Sequence, residues 1–441
     1  MTKRGSPRFG ALHAGQAVVL AIALTLPVGA WGTAHSPETA TSAWGKAITL
    51  SLAPGAAGNS PNVMSCTSPG NCVAGGPATA FRTETAAWLV SQVHGVWGRA
   101  QAIRGLATSN GLKPLSSLSA LSCPSTGNCV AVGSYRTEAS HRQAFIVTQR
   151  HGAWGKAIAV PGLARLNKFM AGLTGVSCPS AGNCGATGFY QTRSRRTGVF
   201  LVSEVRGVWG HPVTPPGIAA LPGEVPAKGL FFGLGIGPIS CPAPGNCGVI
   251  GTYAIADGTY EMFVVNEVNS AWHKAIEIPG TARFSTLAPL LISCSSAGNC
   301  EAGGSLEGGA SDEDDDDHAF VVRQVDGTWN KAIEVPGLAR LDKADDSAVV
   351  SLSCSSAGNC GAAGFYASAL PVSYPVEQAF VVNQVHGVWS KPIEVAGTGQ
   401  LNTAGNAAVM AISCPATDRC SAGGFYQSKK SGLQTFAVSQ P

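Results

Sequence analysis

Charge is scarce in this chain. Only 12% of its 441 residues are Asp, Glu, Lys or Arg, while 45% are hydrophobic. A disordered chain needs the opposite balance, so a packed fold is required. No window of adequate length carries helical periodicity, which removes bundles and helical repeats from consideration. No lysine or arginine stripe is present either. The formal net charge of +4 falls to about +1 once Lys3, Arg4 and Arg8 of the amino-terminal segment are set aside. Nucleic acid is therefore not an expected partner. Beyond the short run 17–26, no apolar stretch approaches the length of a membrane span. Nor is any cysteine left over, because all 14 fall into pairs of one spacing.

Those pairs are Cys66/Cys72, Cys123/Cys129, Cys178/Cys184, Cys241/Cys247, Cys294/Cys300, Cys354/Cys360 and Cys414/Cys420. Successive first cysteines lie 53 to 63 residues apart. Trp44, Trp97, Trp154, Trp209, Trp272, Trp329 and Trp389 keep the same period. One supersecondary unit is repeated, and neighbouring units share a continuous core. Within one copy, VVSLSC (349–354) alternates as a strand into the first cysteine. SSAGN then supplies turn chemistry, with glycine and asparagine both able to take positive φ. A second strand runs from Cys360 to Tyr366, a third is AFVVNQV (379–385), and Trp389 opens a fourth that Gly397 closes. Four strands per unit at this period predict an all-β, seven-bladed β-propeller with four-stranded antiparallel blades.

The two ends of the chain support the same reading. QTFAVSQP (434–441) aligns without a gap on QAFVVNQV (378–385), so the last copy stops after its third strand. The missing fourth strand stands at the other terminus as TSAWGKAITL (41–50). The expected ring is closed by the amino-terminal strand completing the carboxy-terminal blade, which removes an open sheet edge. Residues 1–34 have the layout of a secretory signal peptide: a basic start, an apolar run, Pro27 and small residues before a cut after Ala34. The mature domain is then 35–441, secreted, and expected to be a monomer. Membrane attachment follows only if the signal segment stays uncleaved.

An even number of cysteines at fixed spacing in an exported chain reads as a disulfide framework. Each pair flanks a five-residue loop between antiparallel neighbours, where opposed residues are close enough to bridge. Metal ligation is the competing reading, but no histidine or second pair recurs at ligand spacing. Tryptophans present in every blade are expected to pack between blades. Tyr135, Tyr190, Tyr253, Tyr366 and Tyr426, equivalent in five repeats, are expected in core or rim packing for the same reason.

Asp326-Gly327-Thr328-Trp329 and its relatives HGVW (94–97, 386–389) resemble the end of the Asp-box of sialidase-like propellers, although the serine is missing and only one blade keeps the aspartate. The Gly-Gly at 75–76, 303–304 and 423–424 is similar to kelch and galactose-oxidase-like propellers, without their Tyr/Trp spacing. The SCPSxGNCxAxG repeat as a whole is most similar to secreted actinobacterial propellers that lack a defined activity. That resemblance implies a fold and no reaction. A sialidase-like chemistry would need three arginines, a tyrosine–glutamate nucleophile pair and an acidic acid/base. Loop arginines, Tyr260/Glu261 and Asp257 are the residues of those types here.

A single site should lie where the repeats differ. In propellers the loops joining strands two and three share a face with the connections between blades. Those loops carry the ligand-face candidates Arg82, Arg136, Arg142, Arg193, Arg196, Asp257 and Tyr374, with His141, Arg195, Lys429 and Lys430 beside them. No cofactor is expected. The run Asp312–Asp317 could collect Ca²⁺ on its carboxylates, but it lacks the spacing of a formed calcium loop and reads first as a solvated acidic loop. The expected function is a binding or scaffold module for a carbohydrate or protein at the cell surface. The alternative is a sialidase-like glycoside hydrolase or related propeller enzyme.

Overall fold

The computed structural model describes residues 63–68, 70–76, 87–106, 115–138, 141–221, 234–254, 260–281, 290–308, 316–368 and 376–440. These form seven antiparallel sheets in chain order, at 63–102, 116–159, 171–209, 234–277, 291–334, 347–394 and 407–439. Each sheet is one blade of a β-propeller, numbered 1 to 7 here. The expected signal segment 1–34 and the expected closing strand 41–50 lie outside the described residues, and blade 7 shows three strands among those described.

Blade 6 illustrates the unit. Its first strand, Ser347–Ser356, pairs with Asn359–Ala367, which pairs with Glu377–Val385. The fourth strand differs from the expected continuous one. It is broken into Val388–Trp389 and Ile393–Glu394, both pairing with the third. The amide of Ser390 turns to the carbonyl of Asn383 at the break. The connections between blades also hold single helical turns, such as Leu163–Leu166 and Thr398–Leu401, each entered through a glycine at positive φ. One turn is too short to register as helical periodicity in a sequence.

The innermost strands set the blade order. The serine before each first cysteine accepts, through its hydroxyl, the amide of the next blade's first cysteine. Ser65 takes Cys123, Ser122 takes Cys178, Ser177 takes Cys241, Ser240 takes Cys294, Ser293 takes Cys354 and Ser353 takes Cys414, all at 3.0–3.1 Å. Among the described residues no such bond is recorded from Ser413 to Cys66. Between the blades the core is apolar. Phe145, Phe200, Phe263, Phe320 and Phe380 stand at equivalent places in the third strands and are fully buried. Each contributes about 2 kcal/mol of burial. The large core clusters combine two neighbours, as where Ala319 and Val321 of blade 5 pack with Val349 and Phe380 of blade 6. Trp154 and Trp209 join such clusters, as expected for residues that pack between blades.

In several blades a bulge in the first strand forces a glycine on the second. In blade 6 the register slips between Val349 and Ser351, bringing the Ala348 carbonyl onto Gly364. A Cβ there would lie 1.8 Å from that oxygen. Gly133 and Gly424 face the same contact at 2.0 Å. No side chain larger than hydrogen fits.

All seven cysteine pairs are disulfides, as expected. They are Cys66–Cys72, Cys123–Cys129, Cys178–Cys184, Cys241–Cys247, Cys294–Cys300, Cys354–Cys360 and Cys414–Cys420, with Cα atoms 3.9–4.1 Å apart. No free cysteine remains, which leaves no thiolate for the competing metal reading. Cys66 and Cys72, Cys294 and Cys300, and Cys354 and Cys360 are direct cross-strand partners. The second cysteine of each pair starts the second strand, where Cys129, Cys184, Cys247, Cys300, Cys360 and Cys420 are buried. Cys72 of blade 1 is half-buried. Such a framework belongs to an oxidising, extracellular environment. Each bridge closes a loop with a sequence separation of 6. Loop-closure entropy for so small a ring is worth about 2 kcal/mol. Alkylation of the unreduced protein should therefore label no thiol. The double change Cys354→Ala/Cys360→Ala should lower the unfolding free energy by about 2 kcal/mol in a denaturant titration; labelled thiols in the untreated protein would contradict the assignment.

Several blade interfaces hide carboxyl groups. Glu301 of blade 5 is 1% exposed and accepts from Gln384 Nε2 of blade 6 at 3.1 Å. Burial pushes its carboxyl up to about 7, with Gln384, Arg323 and Trp389 pulling back only part of the way. Burial also raises Glu204, which Arg150 of the preceding blade approaches at 3.7 Å. A raised acid binds its proton more tightly folded than unfolded. Its stabilising contribution is fully present below the ordinary glutamate range and is lost as pH rises through about 7. The melting temperature should fall as pH is raised from about 5 to about 8, and Glu301→Gln should flatten that slope. An unchanged slope in the variant would show that Glu301 is not the group responsible.

Candidate functional site

The two faces of the propeller are built differently. On one, the turn inside each cysteine hairpin is locked to the turn between third and fourth strands. In blade 6 the Gly358 carbonyl accepts the Gly387 amide at 2.7 Å, and Asn359 Oδ1 accepts the His386 amide at 3.0 Å. The same pair of bonds joins Gly127/Gly152 and Asn128/His151, Gly182/Gly207 and Asn183/Arg206, and Gly298/Gly327 and Asn299/Asp326. The glycine of the SSAGN turn takes positive φ as expected, but the asparagine does not. It lies in the strand and clamps the neighbouring turn, where His386 takes φ 49° and Gly387 φ 83°. This clamp accounts for the recurring GN and HG pairs, including Asp326 at the Asp-box-like position. These bonds are structural.

The opposite face carries the loops between second and third strands together with the links between blades, as the sequence led us to expect. Four of the seven ligand-face candidates fall on it among the described residues: Arg136, Arg142, Arg193 and Arg196, all exposed. Arg82, Asp257 and Tyr374 lie outside the described residues, as do Asp312–Asp315 of the acidic run. Asp316 and Asp317 begin the third strand of blade 5, in register with Gly308 and Glu307.

Blades 2 and 3 bring the arginines together. The second and third strands of blade 2, Asn128–Glu138 and His141–Arg150, place Arg136 directly opposite Arg142. The link to blade 3 is fastened here by Asn167, a buried residue. Its Nδ2 donates to the Arg142 carbonyl at 3.1 Å and to Gln143 Oε1 at 3.2 Å. The Arg142 amide in turn donates to the Phe169 carbonyl at 2.8 Å. Phe169 is thereby held beside blade 2's outermost pair, with its ring 5.9 Å from that of His141. From blade 3, the turn at 192–196 reaches over the same ring. Thr192 and Arg196 close the turn, Arg195 takes φ 60°, and its guanidinium carbon stands 4.3 Å above the Phe169 centroid. A cation so placed is attracted by the ring face. Lys168, exposed, precedes Phe169 in the link and turns its ammonium to the Ala164 carbonyl at 3.3 Å.

Phe169 and Lys168 were not among the sequence candidates, since a lone aromatic in an inter-blade link carries no periodic signal. Lys429 and Lys430 are exposed in the corresponding hairpin of blade 7. The structure does not connect them to the blade 2 and 3 group.

This face also holds tyrosine–carboxyl pairs in which the tyrosine is buried. Tyr260 and Glu261 open the third strand of blade 4 and are not loop residues. The pair that forms is Tyr253 with Glu261, cross-strand partners joined by a short hydrogen bond from the Tyr253 hydroxyl. Both are buried. In blade 6 Tyr366 donates to Glu394 Oε2 at 2.9 Å. Nearby, burial and then the Asp346 charge push Glu377 up to about 7, and burial followed by the Asp342 charge raises Asp346. These tyrosines are packing residues, as their recurrence suggested: Tyr253 is 4% and Tyr366 2% exposed.

The likeness to proteins of known structure is broad and shallow. No protein-family model and no curated protein matches the chain. A polysaccharide lyase, an ulvan lyase, superposes with a TM-score of 0.48 at 10% identity, over 85% of this chain and 91% of that one. A neuraminidase-like protein from a flat-faced bat isolate gives 0.38 at 10% identity, over 73% and 86%. A Hadza microbial sialidase gives 0.37 at 8%, over 81% and 74%. At such values these neighbours say nothing about chemistry here.

Burial raises the hydroxyls of Tyr135, Tyr253 and Tyr366, and neighbouring carboxylates raise the last two further. Stability held by these neutral hydroxyls is fully present below the ordinary tyrosine range and is lost only as pH climbs beyond it. A spectrophotometric titration of the seven tyrosines should therefore show three ionising only with alkaline unfolding. Seven tyrosines titrating reversibly in the folded protein would contradict this packing.

Proposed function

We propose that this chain is an exported β-propeller that binds a carbohydrate or protein ligand at the cell surface, on the loop face of blades 2 and 3, and does not transform it. The observation that carries this reading is the meeting of two blades and the link between them at Phe169, whose ring lies under Arg195 and whose carbonyl accepts the Arg142 amide. These positions differ from repeat to repeat, whereas everything shared by the repeats is already used in packing or clamping. The geometry is that of recognition: exposed donors on rigid hairpins, supported by Asn167 and an aromatic ring. Within the described residues, no carboxyl pair stands among these cations.

On the loop face Glu377 gives the hydrolase reading a foothold, since a carboxyl raised to about 7 could act as a general acid. Glu377 belongs to blade 6, however, and no arginine is recorded beside it among the described residues. A glycan array run beside a fluorogenic sialoside assay separates the two. The expected result is retention of labelled protein on the array, reduced about tenfold or more by Phe169→Ala, with no fluorophore released. Release of fluorophore that disappears in Glu377→Gln would establish the enzyme and remove the binding reading.

A further inference from the structure

We infer that the ligand is an acidic polysaccharide, one whose sugars carry carboxylate or sulfate groups. This rests on the binding reading above and narrows it. Its first support is a pair of cations set against each other. Arg136 and Arg142 stand directly opposite each other at the end of blade 2. The equivalent pairs elsewhere are Gln191/Thr197, Ala254/Tyr260, Ala367/Glu377 and Gln427/Leu433, none of which sets like charges together, and Glu307/Asp317 of blade 5, which sets two acidic residues together; among these pairs only that of blade 2 joins two cations. Like charges directly across a strand pair are destabilising. Among the described residues no ion pair is recorded that would relieve Arg136, Arg142, Arg193, Arg195 or Arg196. An anion from outside would relieve it.

The second support is independent and comes from blade 3. Arg195 occupies the left-handed region at φ 60°, a conformation costly for a residue with a side chain. That turn holds its guanidinium carbon 4.3 Å from the Phe169 ring centroid. A guanidinium steadied in this way binds carboxylate or sulfate by paired hydrogen bonds. The arginines stand at the hairpin ends of two adjacent blades. A row of separated cations suits a chain that repeats its charge along its length.

Other polyanions fit less well. An extended acidic peptide would join a free strand edge, but the Arg142 amide already pairs with the Phe169 carbonyl. It would also want an open apolar pocket for an anchoring side chain, whereas Phe169 lies beneath Arg195. Single-stranded nucleic acid needs a bare aromatic platform, and Arg195 occupies this ring.

The test is titration calorimetry of the intact protein with heparin, polygalacturonate, neutral dextran and poly-glutamate, repeated over a salt series. Binding to heparin or polygalacturonate is expected, with affinity falling as salt rises. Dextran and poly-glutamate should bind at least about tenfold more weakly. The double variant Arg142→Gln/Arg195→Gln should lose about tenfold or more in affinity, whereas Lys429→Gln/Lys430→Gln on blade 7 should bind as the parent does. Melting curves should show both variants folded at the assay temperature, as expected for exposed side chains. Equal loss in the blade 7 variant, or undiminished affinity in the blade 2 and 3 variant, would overturn the assignment. Poly-glutamate binding as tightly as the polysaccharides would replace it with an acidic-protein partner. Capture of a neutral glycan that depends on Phe169 would overturn the acidic class and leave the binding reading standing. No binding to any array glycan or to these four polymers would remove both.

Discussion

The bond from a serine hydroxyl to the cysteine amide of the next blade is the contact on which the ring depends. It is made by the innermost strands, where blades approach most closely, and it recurs with almost no variation in length across six interfaces. One such bond is worth about 1 kcal/mol. Its larger effect is geometric, because it fixes the height at which each blade meets its neighbour. The aromatic third-strand residues, the tryptophans and the disulfides then fall at matching levels and form clusters that belong to two blades at once. The disulfide serves the same end. By pinning the hairpin, it holds the serine and the amide that must meet across the interface. Where a glycine follows the second cysteine, the next blade's sulfur packs tightly against it, as Cys414 does on Gly361.

Fixing the blades in this way divides the molecule's faces into different kinds of surface. The hairpin face is stitched by backbone and asparagine bonds in each described blade that has a fourth strand. The same few residue types are needed there every time. On the loop face the stitching lies at the links, in backbone bonds such as Lys168 to Gln191 and Lys343 to Ala367, so the tips of its hairpins can vary in length and composition without disturbing the ring. The cations of blades 2 and 3 exploit that freedom, and they are steadied by Asn167 and Phe169 in the link between the blades. The same kind of clamp returns at Asn402, which donates to the Glu377 carbonyl at 2.7 Å. The link that positions the candidate site is thus an ordinary part of the blade, put to use at one place.

Buried carboxyls mark where the repeat departs from its neutral pattern. Gln149, Gln324 and Gln384 occupy a position that holds Glu204 and Glu267 in blades 3 and 4. Arg150 stands where other blades have valine and approaches Glu204 across the interface. A charge pair at one interface, in an array of similar blades, distinguishes that junction from the others. It does so at the expense of a carboxylate held out of water.

The architecture was legible in the sequence because repetition multiplies a weak signal. A single SCSSAGNC segment could be read as a ligand cluster, but seven copies leave room only for a hairpin that every blade shares. The fourth strand was harder to read, since its two short halves are joined by a kink that interrupts alternation. The tyrosines were placed correctly as packing residues, while the Tyr253–Glu261 pair was missed. Its members are eight residues apart in the chain but opposite in register, and a cross-strand register depends on loop length. The candidate site was half legible. Arg136, Arg142, Arg193 and Arg196 could be assigned to the variable face by position in the repeat. That Phe169 gathers His141 and Arg195 around it is a fact of three segments meeting. Sequence alone determined what recurs, because a recurring residue must satisfy the same local geometry seven times. Only the tertiary structure decided what converges, because a site formed once leaves no period to read.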